Sequence, residues 1–252
     1  IAEYDSSDNI LKLHVGHQCA SDPSEFVKEG DICAVTGEPI SNDLHGMLVA
    51  TTDIGVLGRY EINTQTGAIV DQKIVYDERL YGGPALYTFN GNHHLEPGNS
   101  LWWLSFGLAE ELRVQGIEDV YSNYAHRIID LEDLPSSPPH ITRVNSSTYD
   151  IEDSYAFPAG RFASSPTFVP STEGSNAPDN GYIFCIVLSD DESTLNSSGD
   201  EIWIFDALDL EQGPICRLGH SNLNMPLTLH TCYIEELTQR NSQYLISIRE
   251  DL

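Results

Sequence analysis

Asp200-Glu-Ile-Trp-Ile-Phe-Asp206, continued by Met225-Pro-Leu-Thr-Leu-His230-Thr-Cys-Tyr233, is the stretch whose reading decides the fold. Between its acidic ends the first part holds Trp, Phe and two Ile, side chains that fit a pleated and half-buried surface, so a strand is predicted there. Asp209 to Gly213 reads as a polar turn. Pro214 to Leu218 is predicted to bring the chain back inward as a second, Cys-bearing strand. His230 follows a proline and two leucines, and its ring is predicted to enter an apolar interior. On spacing alone, a lone histidine in that setting reads as a hydrogen-bonded core residue ahead of a metal ligand.

Working outward, the same pattern of short strands and turn signals recurs. Ile10 to Val15 is strand-like. Gly58 to Ile62 and Ala68 to Val75 flank Asn63-Thr-Gln-Thr-Gly67, a hairpin loop of five residues closed by glycine. Leu101-Trp-Trp-Leu-Ser-Phe106 is apolar on both faces and predicted to be buried. Ile141 to Val144 and Tyr149 to Ile151 resume the pattern, and Ser165 to Val169 with Gly181 to Leu188 are predicted as inner strands of a further unit. Helical periodicity is confined to Leu108–Leu134, where Gly116 is predicted to separate two short helices. The class is therefore all-β, in about four strand groups spaced like propeller blades of ~40–60 residues.

Composition narrows the function. Twelve basic residues stand against 39 acidic ones, a formal charge of −27, which repels nucleic-acid backbones and anionic membrane surfaces. The longest apolar run, Tyr182 to Leu188, falls far short of the ~20 residues that span a bilayer. The acids form no calcium-loop pattern: Asp5 to Asn9 lacks the later glycine and glutamate such a loop needs. Five cysteines without a CxxC pair fit a reducing, intracellular and cytoplasmic setting, with Cys185 and Cys216 read as packed thiols. There is no Gly-x-Ser-x-Gly elbow, no phosphate-binding loop and no His-Glu-x-x-His.

The block from Arg161 to Tyr233, with "RFASSPTFVP", "DNGYIFCIVLSDD" and "GDEIWIFDALDLEQGPICRLGHSNLNMPLTLHTCY", resembles the C-terminal part of the carotenoid cleavage oxygenases. "LGRYEINTQTGAIV" upstream is similar to a strand–turn–strand element of the same family. The resemblance implies a seven-bladed β-propeller, of which residues 1–252 would form a partial ring of antiparallel blades with a small helical insertion around 108–134. It implies an Fe(2+) cofactor held by four histidines, His230 matching the last. It also implies dioxygen and an apolar conjugated substrate, apocarotenoid-like or stilbene-like, cleaved at a C=C bond to two carbonyl products, and it allows peripheral membrane contact. The third histidine of the family is placed before Ile1, so the chain reads as a fragment; His17, and with it His14, is the fallback, although a spacing of three in a strand points the two rings to opposite faces. Ser165 stands where the family carries a glutamate that orients a metal-bound imidazole, in Ser165-Pro-Thr-Phe-Val169, and is the candidate acceptor there. The second such glutamate corresponds to Leu80-Tyr-Gly-Gly-Pro84, with Glu78 just upstream. The alternative is a propeller that binds or scaffolds after losing its metal.

Overall fold

The computed structural model describes residues 1–18, 25–49, 51–90, 95, 98–122, 125–172, 179–189, 199–220 and 222–236. His93, His94, Cys19 and the acidic run Asp190 to Glu192 lie outside them. Among the described residues, thirteen strands build three antiparallel sheets. Sheet I takes β1 (Ala2–Asp5), β2 (Ile10–His17), β3 (Thr51–Asn63) and β4 (Ile69–Gly82) in sequence order. Sheet II takes β5 (Pro84–Phe89), β6 (Ser100–Ser105), β7 (His140–Asn145) and β8 (Ile151–Ala156). In sheet III, β10 (Thr167–Pro170), β11 (Gly181–Leu188), β12 (Glu201–Asp206) and β13 (Cys216–Gly219) follow one another, and β9 (Phe162–Ala163) also pairs with β11. No described helix is long and apolar enough to cross a membrane.

The double-faced apolar run becomes β6, buried along its whole length. Successive side chains on a strand point to opposite faces, and here both faces are covered. Trp102 and Leu104 pack with Ile183, Trp203 and Phe205 of sheet III. Leu101 and Trp103 pack with Leu57 and Leu80 of sheet I. Sheet II is thus sandwiched, which is why its central strand shows no polar alternation. The buried polar groups stitch the same seams: Trp102 Nε1 donates to Ala207 O at 3.0 Å, Leu210 N–H donates to Asp153 Oδ2 at 2.5 Å, and Tyr149 Oη donates to Gly58 O at 3.1 Å. Gly82 at the end of β4 packs against Gly107 just after β6; a Cβ on Gly82 would stand 2.0 Å from Gly107 O, so only glycine allows this approach.

Two expectations are corrected. Gly116 does not divide two helices; it lies inside α1 (Gln115–Tyr121), with short 3-10 turns at Glu110–Leu112 and Leu131–Asp133. The helix holds because Arg113 Nε, just ahead of it, donates to the buried Glu118 at 2.6 Å and outweighs one poor helix former. The second correction concerns β13. It does not turn inward but forms the outer edge of sheet III, with Arg217, Leu218 and Gly219 exposed. Cys185 is packed as expected, its thiol pushed up to about 12 by burial, whereas Cys216 is only half-buried.

Candidate metal-ligand cleft

β5 and β10, edge strands of sheets II and III, meet where Phe168 N–H donates to Thr88 Oγ1 at 3.1 Å, and both line a cleft of about 740 Å³. Residues 229–236 also line it, without forming helix or strand. Tyr87, Thr88, Ser165, Thr167, Phe168 and His230 line it. His230 is exposed here, not enclosed as its apolar neighbours in sequence suggest. Leu227 and Leu229, the residues that made the stretch look interior, are themselves 37% and 55% exposed. Alternation in an extended segment signals burial only when a partner covers one face, and nothing among the described residues covers this one.

Ser165 lines the same cleft and is buried. Its bonds run through its backbone: Ser165 N–H donates to Thr228 O at 3.1 Å, and Ser165 O accepts from Thr231 Oγ1 at 3.2 Å. No hydrogen bond joins its hydroxyl to a histidine ring among the described residues. The fallback histidines sit in sheet I, each with its own partner. His14 is buried beside Glu3, Nε2 to Oε1 3.6 Å, with the Tyr149 ring 5.5 Å away. His17 shares a 2.8 Å hydrogen bond between Nε2 and Tyr60 Oη. Glu78 belongs to β4, on the way to the corner at Gly82.

Among the described residues, no three His, Cys, Asp or Glu side chains gather to hold a metal ion. The donor that is present fits iron at one position: His230 offers an imidazole that no described ion pair or hydrogen bond engages, and imidazole is a ligand type that suits iron. Further ligands would fall on residues outside those described.

A second, larger cavity of about 1140 Å³ has a separate lining. Its wall is mostly apolar, with Leu48, Phe106, Leu108, Phe157, Phe162 and Met225 prominent, and the rings of Phe106 and Phe162 stack at 5.3 Å. Met225 lines this cavity and His230 lines the cleft, so one short segment borders both. Strand patterns gave no hint of either space, since each is made where separate sheets meet. Strand patterns likewise do not mark the hydroxyls of Thr228 and Thr231, which flank His230 in sequence. Their placement around the histidine was the available signal.

Elsewhere the ionisable groups serve structure. Burial raises the Cys33 thiol, but the backbone and side chain of Thr36, the Val35 N–H and Arg113 together bring it below its ordinary value. Burial raises the Tyr149 hydroxyl well above the usual range.

A family model described as "Retinal pigment epithelial membrane protein" matches residues 49–235. Among curated proteins nothing matches. The solved structure titled "Crystal structure of an ACO/RPE65 chimera" is 14% identical, with a TM-score of 0.53 over 93% of this chain and 38% of that one. A trigonal crystal form of a variant of that chimera is likewise 14% identical, with a TM-score of 0.52 over 92% of this chain and 37% of that one. The likeness is one of fold: the three sheets are blades of a partial β-propeller. The chain spans less than two fifths of the length of those structures.

Proposed function

Because the chain belongs to the retinal pigment epithelial membrane protein family, the carotenoid oxygenases, we propose that it is the C-terminal portion of a non-haem iron(II) dioxygenase that cleaves a conjugated C=C bond in an apolar substrate. In this reading His230 is one of several imidazole ligands, and the others come from parts of the propeller beyond the residues described. Bound iron would supply the site at which dioxygen is activated. In this reading His230 gives a nitrogen donor at the cleft, and Ser165, which lines the same cleft, is the candidate acceptor for the ring of a ligand outside the described residues. The apolar cavity bordered by Met225 suits an elongated hydrocarbon-like molecule, since small-molecule sites are concave and mostly apolar with few polar groups. The observation that carries this reading is the position of His230: inside the family match and on the cleft that β5 and β10 line.

The test is the metal content and turnover of the complete protein. His230→Ala is expected to lose bound iron and oxidative cleavage of an apocarotenoid or stilbene while keeping its β-sheet circular dichroism, because His230 is exposed and carries no core packing. A variant that keeps stoichiometric iron and turnover removes His230 from the ligand set. An iron-free, inactive but folded wild-type protein favours the propeller that only binds or scaffolds.

A further inference from the structure

The segment that carries His230 has no ladder of its own. Residues 225–236 lie in no strand or helix, and Leu227, Leu229, Tyr233 and Ile234 are all exposed, so apolar burial does little to hold them. Hydrogen bonds to residues far away in sequence hold them instead. Met225 N–H donates to Asp200 Oδ2 at 3.0 Å at the start of the segment. Around the histidine the bonds thicken. Thr228 Oγ1 meets the buried Ser164 Oγ at 2.8 Å, and Thr228 O accepts the Ser165 N–H at 3.1 Å. Thr231 Oγ1 reaches Ser165 O and Pro166 O, both at 3.2 Å, and bonds Thr167 Oγ1 as well. Two threonines, one on either side of His230, thus fasten this stretch to the loop 164–166 between β9 and β10 and to Thr167 at the start of β10.

Resting on the reading of His230 as an iron ligand, we propose that Thr228 and Thr231 are positioning residues that set the place of its imidazole by fastening the irregular segment to the connection between β9 and β10 and to the first residue of β10. Neither touches the imidazole. A ligand side chain is useful to a metal only where its backbone is already in place, because ordering a loose segment on binding takes free energy away from the ligand bond. The hydroxyls do that ordering in advance. Valine matches threonine in shape but brings no hydrogen bond, so Thr→Val isolates the bond from the packing, and Thr→Ser restores the bond without the methyl group.

The experiment uses the complete protein with Thr228→Val, Thr231→Val, the double variant and the two serine variants. Fe(II) is titrated directly, and hydrogen exchange is followed across 225–236 in metal-free protein. The valine variants are expected to bind Fe(II) about 10-fold more weakly each, the order of effect of one hydrogen bond supporting a ligand, and to exchange faster in 225–236 with unchanged melting of the whole protein. The serine variants are expected to recover both. Unchanged exchange, or faster exchange with unchanged Fe(II) affinity, overturns the proposal. If the double variant does not fold, Thr231→Val alone decides, since it leaves the Thr228–Ser164 bond intact. His230→Ala separates the two ideas. Should that variant keep its iron, the ligand reading fails whatever the threonines do. Should it lose iron while the valine variants keep both affinity and protection, the ligand reading stands and the positioning role falls.

Discussion

Asp77 and Arg79 form the ion pair in the fold with the clearest effect on ionisation. Arg79 Nε donates to Asp77 Oδ1 at 2.6 Å and Nη2 to Oδ2 at 2.7 Å, two parallel bonds of the fork type. The side-chain bonds from Arg79 hold the Asp77 carboxyl below its ordinary value of 3.8, against a smaller opposing effect of burial. A carboxyl with a lowered pKa in the folded state binds protons more readily when unfolded. Its contribution is therefore present above pH 3.8 and is lost as pH falls through the lower folded value. Asp77→Asn is expected to lower stability at neutral pH and to flatten the acid limb below about pH 4. Urea midpoints of both proteins between neutral pH and the onset of acid unfolding check this; parallel curves would remove the pair from the acid response. His140, close by, is pushed below its usual value by burial first of all, so the same corner favours an uncharged ring at neutral pH.

At the scale of elements, one loop design recurs. Asn63 Oδ1 accepts from the N–H groups of Gln65 and Thr66, both at 3.0 Å, and Gly67 follows with φ 72°. Asn145 Oδ1 accepts from Ser147 and Thr148 at 2.9 and 3.1 Å, and Tyr149 follows with φ 60°. The first loop was legible because glycine marks the left-handed residue. The second was not, because a tyrosine fills that position: its fully buried ring and its bond to Gly58 O offset the strain, and in sequence it passes for the start of a strand. Glycine is also the reason α1 was misjudged, since its helical cost is real but was not decisive. The two glycines give opposite expectations in thermal unfolding. Gly67→Ala should destabilise by about 1–2 kcal/mol through the left-handed backbone alone, as nothing crowds its Cβ. Gly116→Ala, equally uncrowded and helical, should stabilise by about 0.5–1 kcal/mol. Equal effects of the same sign would contradict the backbone argument.

For the whole molecule the governing quantity is charge. A net −27 over 252 residues makes the folded state repel itself, and only 12 basic side chains are present to relieve it. Salt shortens the reach of that repulsion from about 10 Å at 0.1 M to about 3 Å at 1 M. The melting temperature is therefore expected to rise on going from low salt to about 1 M sodium chloride, before any ion-specific effect is considered. Calorimetry across that series checks it, and a melting point that is flat or falls with salt would show that repulsion is not what limits the fold. Sheet II explains how a chain so acidic still closes a core. Both of its faces are covered, by Leu57 and Leu80 on one side and Trp203 and Phe205 on the other.

By itself the sequence determined the strands, the all-β class and the histidine worth following. Alternation, β-branched and aromatic runs and turn residues are local properties, and Glu201–Asp206, the Asn63 hairpin and the doubly buried β6 each carry them within a few residues. Tertiary structure alone decided that His230 lies open on a cleft, that Ser165 spends its backbone on the segment beside it, and that Met225 borders an apolar cavity. The reason is range. The bond between Thr228 and Ser164 joins residues 64 apart, and no local pattern records which part of the chain an irregular segment will meet. That meeting is settled only when the sheets have packed, because the segment has neither a ladder nor an apolar face to place it beforehand.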